Sequence, residues 1–204
     1  NAAGSTMNVT ATNLRIEADD AIGASDNHFT STVDNLSALS TGTTTAGMYI
    51  TETDTVAVDT VSVSVTEFTE SAGTSTVSDT AQSDLVSGNN GNIVLAANGI
   101  ITLNDGTDAD GQAVNANGSG NILIDANTDN LDINSDILST TGHITLKAAT
   151  DILVGDSSAS GVDITTATAG TISLDAEAGA LTMAGDAAIT ATDSSLRLNA
   201  TTDI

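Results

Sequence analysis

Short runs in which apolar and polar residues alternate dominate this chain. The form repeated most often is Gly91-Asn92-Ile93-Val94-Leu95. It matches Gly120-Asn121-Ile122-Leu123-Ile124, Gly142-His143-Ile144-Thr145-Leu146 and Gly170-Thr171-Ile172-Ser173-Leu174. Ser195-Leu196-Arg197-Leu198 is a further copy without its glycine, and Asn13-Leu14-Arg15-Ile16 and Gly47-Met48-Tyr49-Ile50 are weaker copies upstream. Alternation with a period of two is the signature of a half-buried strand. Helix signals are poor, because Thr, Asn, Asp, Ser, Gly and Val are weak helix formers and are abundant here. In the C-terminal half the copies recur at about 22 to 29 residues, a loose period that points to a repeat architecture.

Each unit divides in the same way. Ile144–Leu146 is followed by Ile152-Leu153-Val154 and, after a Ser/Gly turn, by Val162-Asp163-Ile164. Ile172–Leu174 is followed by Leu181-Thr182-Met183 and Ala188-Ile189-Thr190, and Ile122–Ile124 by Leu131-Asp132-Ile133 and Ile137-Leu138. Three short strands per unit predict a coil of triangular cross-section, since sandwich strands run longer, about 5–6 residues. The expected fold is therefore all-β: a right-handed parallel β-helix, or β-solenoid, with three short strands per rung. About six rungs at a strand spacing of 4.7–4.9 Å make a rod about 30 Å long. The whole chain, 1–204, reads as one solenoid domain. Residues 24–46 and the Thr/Ser/Glu-rich stretch 66–90 are expected to be loop excursions, and the alternation Val61-Ser62-Val63-Ser64-Val65 predicts a longer strand between them.

Composition narrows the function. The chain has no Cys, no Pro and no Trp, and aromatics make up only 1% of it, so Ala, Val, Ile and Leu must fill the core. Aliphatics suit thin, regular layers, whereas enzyme pockets are usually shaped with aromatic side chains. Three basic residues against 27 acidic ones give a formal charge of −24. With so few cations to neutralise phosphates, neither nucleic acid nor an anionic membrane surface is an expected partner. No run approaches the roughly 20 apolar residues of a membrane span, so no membrane insertion is expected. High ionic strength shortens the screening length to a few Å and lowers the cost of such a charge. The chain opens at Asn1 rather than Met, which reads as a processed chain or a piece of a longer one.

The repeated Gly-x-Ile-x-Leu cores, together with Leu14-Arg15-Ile16-Glu17-Ala18 and Gly47-Met48-Tyr49-Ile50-Thr51-Glu52, resemble the filamentous-haemagglutinin-type repeats of giant bacterial surface proteins. The resemblance implies a right-handed parallel β-helix, export to the cell surface or extracellular space, and a role in adhesion or as a stalk. It covers most of the chain, and its motifs are strand and corner patterns rather than chemistry. That family's repeat is tighter, at roughly 20 residues per rung.

The sharpest local motif is Asp105-Gly106-Thr107-Asp108-Ala109-Asp110-Gly111, in which Asp105, Asp108 and Asp110 are candidate metal ligands. Calcium takes six to eight oxygens, and an acidic loop supplies several, so calcium is the candidate cofactor. The alternative is a plain acidic surface turn, because Asn117 stands where a calcium loop would place its bidentate Glu. No catalytic residues are expected. Arg15, Lys147 and Arg197 are far apart in sequence, Arg15 and Arg197 share the outward place in their motif, and no nucleophile motif surrounds His28 or His143. Thr-x-Thr pairs at Thr10/Thr12, Thr51/Thr53, Thr74/Thr76 and Thr190/Thr192 do not recur at one place in the rung, so they read as ordinary outward strand residues. Sequons at Asn8, Asn35, Asn117 and Asn199 are expected by chance in so Asn- and Thr-rich a chain.

The reading that follows is a non-catalytic structural building block of an extracellular filament, stalk or sheath. The expected partners are further copies of itself, or flanking repeats, stacked end to end, since no polar or helical cap is seen at either terminus. The alternative is an adhesin segment that binds surface glycans, with or without calcium.

Overall fold

The computed structural model describes residues 7–42, 47–155 and 161–204. The expected excursion 24–46 and the Ser/Gly turn after Val154 lie partly outside these residues. Among the described residues there is no helix, and eighteen strands form one parallel sheet wound into a β-solenoid of about seven turns.

The coil has three faces. The first carries Gly47–Glu52, Asn92–Ala97, Ile122–Ala126, Ile144–Ala148, Ile172–Ala176 and Leu196–Ala200. The second carries Val56–Val58, Ile101–Leu103, Leu131–Ile133, Ile152–Val154 and Leu181–Met183. The third carries Leu85–Ser87, Gln112–Ala116, Asp136–Ser139, Asp163–Thr166 and Ala188–Ala191. Each strand pairs in parallel with the strand one turn before and one turn after. Like residues therefore pile into columns: Met48, Ile93, Ile122, Ile144, Ile172 and Leu196 form one. Ile50, Leu95, Ile124, Leu146, Leu174 and Leu198 form the next, and Leu85, Val114, Ile137, Ile164 and Ile189 line the third face. The mid-stack members of these columns are fully buried, so the core is a set of aliphatic stacks, as the composition requires.

The corner between the third and first faces explains the leading glycine of the repeat. A Cβ on Gly142 would stand 1.9 Å from the Gly120 carbonyl oxygen, and one on Gly170 would stand 2.0 Å from that of Gly142. Backbone lies directly over backbone there, and no side chain fits. A hydroxyl closes the same corner: Gly142 N donates to Ser139 Oγ at 2.9 Å, and Ser139 Oγ donates to the Gly120 carbonyl at 2.8 Å.

Five expectations are corrected. The coil has about seven turns rather than six, because Val9–Ala18 and Phe29–Ser40 each run from the end of the first face around the second and third as a single long strand. Neither carries glycine at its bends, so neither shows the three-part pattern. Within 24–46, Phe29–Ser40 is consequently part of the coil and not an excursion, since it pairs with strands on all three faces. Within 66–90, the part outside the coil is the end of an antiparallel hairpin of Ser64–Phe68 with Thr74–Ser78, while Leu85–Ser87 returns to the third face. The strand expected from Val61 to Val65 begins at Ser64 and is exposed, because both faces of the hairpin are open to solvent. Leu14 and Ile16 also leave the first-face column they resemble: Leu14 pairs with Leu36 and Ile16 with Ala38, on the second and third faces.

Candidate functional site

The corner between the second and third faces gathers the acidic residues. Asp84 precedes the third-face strand Leu85–Ser87 and has a left-handed backbone with φ of 69°. Its carbonyl accepts from Ala38 N at 2.9 Å and from Ser37 Oγ at 3.2 Å, so the turn before holds its main chain in place. The residue is only 2% exposed. One turn later, the loop 104–111 arches over the same corner. Gly106 takes φ of 73°, and a Cβ there would meet Thr60 Oγ1 at 2.4 Å and Ser83 Oγ at 2.5 Å. Thr107 N donates to Thr60 Oγ1 at 2.7 Å, which pins the loop against the neck of the hairpin excursion.

This geometry brings Asp84, Asp108 and Asp110 together, with one carboxylate oxygen of each within 4.8 Å of the other two. Asp108 and Asp110 were expected from the sequence; Asp105 is not part of the trio. Its Oδ1 accepts Gly111 N at 2.8 Å, so it shapes the loop. Asp110 accepts Gln112 N at 2.8 Å and Gln112 Nε2 at 3.2 Å, which orients its carboxylate. The pairing beside the site is irregular, with a bulge between Gln112 and Val114. Farther up the corner stand Asp136 and Asp163, joined by Asp163 N donating to Asp136 Oδ1 at 2.7 Å. A groove lined by Asp110, Gln112, Asp136, Leu138, Asp163 and Thr165 runs along these turns.

Burial, followed by the charges of Asp108 and Asp110, a side-chain hydrogen bond with Asp108 and the charge of Asp105, pushes the Asp84 carboxyl up to about 8. Burial also raises Asp136, with Asp163, Asp105 and Asp110 adding to the effect against the hydrogen bond from Asp163 N. Asp84 Oδ1 is buried and accepts no hydrogen bond. The trio contains no His or Cys, so its donors are hard oxygens, which suit calcium, magnesium or manganese rather than zinc or copper.

The basic residues lie elsewhere. Lys147 bridges Asp125 at 3.4 Å and Glu177 at 3.0 Å, and Arg197 holds Asp175 at 2.9 Å on the first face. Arg15 does not share Arg197's position. It lies at the bend between the second and third faces, its side chain is 16% exposed, and it pairs with Glu17 and with Asp79 beneath the hairpin. His28 Nδ1 contacts Thr51 Oγ1 at 2.9 Å, and His143 Nδ1 contacts Thr171 Oγ1 at the same distance. Neither histidine is placed beside the acidic trio.

Sequence reasoning missed Asp84, although a signal existed. Ser83-Asp84-Leu85-Val86-Ser87 has the same form as Ser135-Asp136-Ile137-Leu138-Ser139, and both strands lie on the third face. Reading 66–90 as one excursion hid that match. No protein-family model, no curated protein and no solved structure matches this chain.

Proposed function

We propose that this chain is a structural building block of an extracellular filament, stalk or sheath, a rod segment of the filamentous-haemagglutinin kind without catalytic chemistry. The observation that carries this reading is the unbroken columns of like aliphatic residues through successive turns, from Met48 to Leu196. A fold built this way spends its sequence on length and regularity, and each turn contacts only its neighbours. The acidic surface fits the reading, because a charge of −24 keeps parallel rods apart. The partners are further solenoid turns, in this chain's own polypeptide or in other copies. Immunogold electron microscopy of the source cells tests the proposal: label on surface fibres or a surface layer is expected, and label confined to the cell interior refutes it.

One observation favours the second reading, an adhesin segment. The hairpin of Ser64–Phe68 and Thr74–Ser78 projects from the coil, and Phe68 at its end is 78% exposed. Phe68 is one of only three aromatic residues in the chain, and an exposed ring is a common glycan-stacking element. Binding to a glycan array that is lost on Phe68→Ala would establish this role, and binding unchanged by that substitution would remove it.

A further inference from the structure

We propose that Asp84, Asp108 and Asp110 bind one calcium ion, which clamps the corner loop 104–111 onto the preceding turn of the solenoid. Two independent observations meet at this point. The first is the convergence of three carboxylates from two turns, with one oxygen of each within 4.8 Å of the other two. Calcium sits 2.3–2.6 Å from its oxygen ligands, so oxygens on opposite sides of one ion stand about 4.6–5.2 Å apart. One oxygen from each carboxylate is therefore close enough to the others to share a single ion. The second is Asp84 Oδ1, an oxygen in a residue only 2% exposed that accepts no hydrogen bond from the protein.

A buried carboxylate oxygen without a partner is costly, and ordinarily a donor or a cation satisfies it. Asp84 cannot turn away, because Ala38 and Ser37 hold its carbonyl in the coil. No basic residue answers it either: Arg15, Lys147 and Arg197 are each engaged with other carboxylates. The loop is shaped from outside the trio, by Asp105 on Gly111 and Thr60 on Thr107, which leaves Asp84 and Asp108 facing each other. Calcium fits better than magnesium, because magnesium demands near-ideal octahedral geometry, and one fixed buried ligand beside two exposed ones does not impose it. The ion would secure the place where the rung-to-rung ladder is interrupted by the bulge at 112–114.

The test uses the full chain, stripped with chelator and kept in about 150 mM KCl so that diffuse counterion effects are screened. Calorimetric titration with CaCl2 should show one saturable site. Melting followed by circular dichroism should rise by about 5–10 °C with calcium at 100 times its Kd. Asp108→Asn, on the surface, should weaken binding at least tenfold and leave the calcium-free protein folded. Asp84→Asn, which keeps the shape of the side chain, should leave the calcium-free protein folded and abolish the calcium response. Asp186→Asn, an exposed acid away from the trio, should bind as the parent does. The proposal is overturned if no saturable heat appears up to about 5 mM calcium, beyond the weakest extracellular sites. It is overturned equally if all three variants bind alike, which would mean a diffuse ion cloud on an acidic rod, or if magnesium acts as strongly as calcium. A proton held by Asp84 in place of a metal gives the first of these results.

Discussion

His143 Nδ1 accepts the backbone N–H of Thr171 at 3.0 Å, the same service that Asn121 Oδ1 performs for His143 N one turn earlier and Asn92 Oδ1 for Asn121 N before that. A ladder of side-chain acceptors thus climbs the coil just after the corner glycines, and a histidine has taken an asparagine's rung. The prediction is that His143→Asn leaves stability within about 0.5 kcal/mol of the parent, whereas His143→Ala loses about 1 kcal/mol, the net value of one hydrogen bond. Urea denaturation of the three proteins checks this. Equal loss in both variants would mean that the ring's packing, rather than its acceptor nitrogen, is what matters.

The corner glycines give a sharper contrast. Gly142→Ala should destabilise by about 3 kcal/mol or more, because the new methyl group meets backbone that no rotamer can move. Gly185→Ala should be neutral or slightly stabilising, since nothing lies within 4 Å of its Cβ position and its φ is not in the left-handed region. Thermal melting of the pair decides the matter. A mild Gly142→Ala would mean that adjacent turns separate easily.

The same contrast shows why part of this fold was legible in the sequence and part was not. Wherever a turn carries glycine at the corner, the period-two runs fall into three strands and could be aligned by eye, as in Gly142–Leu146. Phe29–Ser40 bends around the coil without glycine or proline, so no punctuation marked its turn. The acidic site was half legible for a related reason. Asp108 and Asp110 are neighbours in sequence, but Asp84 reaches them only through the pitch of the coil, from the far side of a hairpin that hides the repeat.

On the first face, Asp125, Lys147, Asp175 and Asn199 form an outward column. Lys147 lies between the acids and bonds Asp125 and Glu177, contacts that raise its pKa: the Glu177 hydrogen bond contributes most, and the Asp125 charge also helps. Replacing it with Gln should cost about 0.5–1 kcal/mol at low salt, the range for cross-strand ion pairs on a surface. The cost should shrink toward zero as NaCl approaches about 1 M, where screening acts over about 3 Å. The parent itself should melt higher in salt, given its charge of −24. A salt-independent penalty would point to lost packing of the lysine stem rather than lost charge.

Glu52 is fully buried in a column that continues as Ala97, Ala126, Ala148, Ala176 and Ala200. It takes its place by satisfying the turn before: Val33 N donates to Oε1 at 3.0 Å, Ser31 Oγ to Oε2 at 2.8 Å, and its neighbour Thr53 N to Oε1 at 3.1 Å. Burial raises its pKa above the ordinary 4.5, and these three hydrogen bonds only partly offset the rise. A carboxyl that binds its proton more tightly in the fold than in the unfolded chain gives full stability below the unfolded value and loses it as pH climbs through the folded one. Glu52→Gln keeps an acceptor for both N–H groups, and its amide can donate to Ser31 Oγ, yet it carries no charge. The variant should therefore match the parent near pH 4 and exceed it at neutral pH, with the difference growing over the interval above 4.5. Glu52→Ala, although it restores the alanine of later turns, should lose about 1–3 kcal/mol, because Val33 N would be left buried without an acceptor. Stability measured by chemical denaturation at several pH values tests both. If parent and Glu52→Gln run parallel at every pH, Glu52 is solvated as a carboxylate and its burial costs nothing.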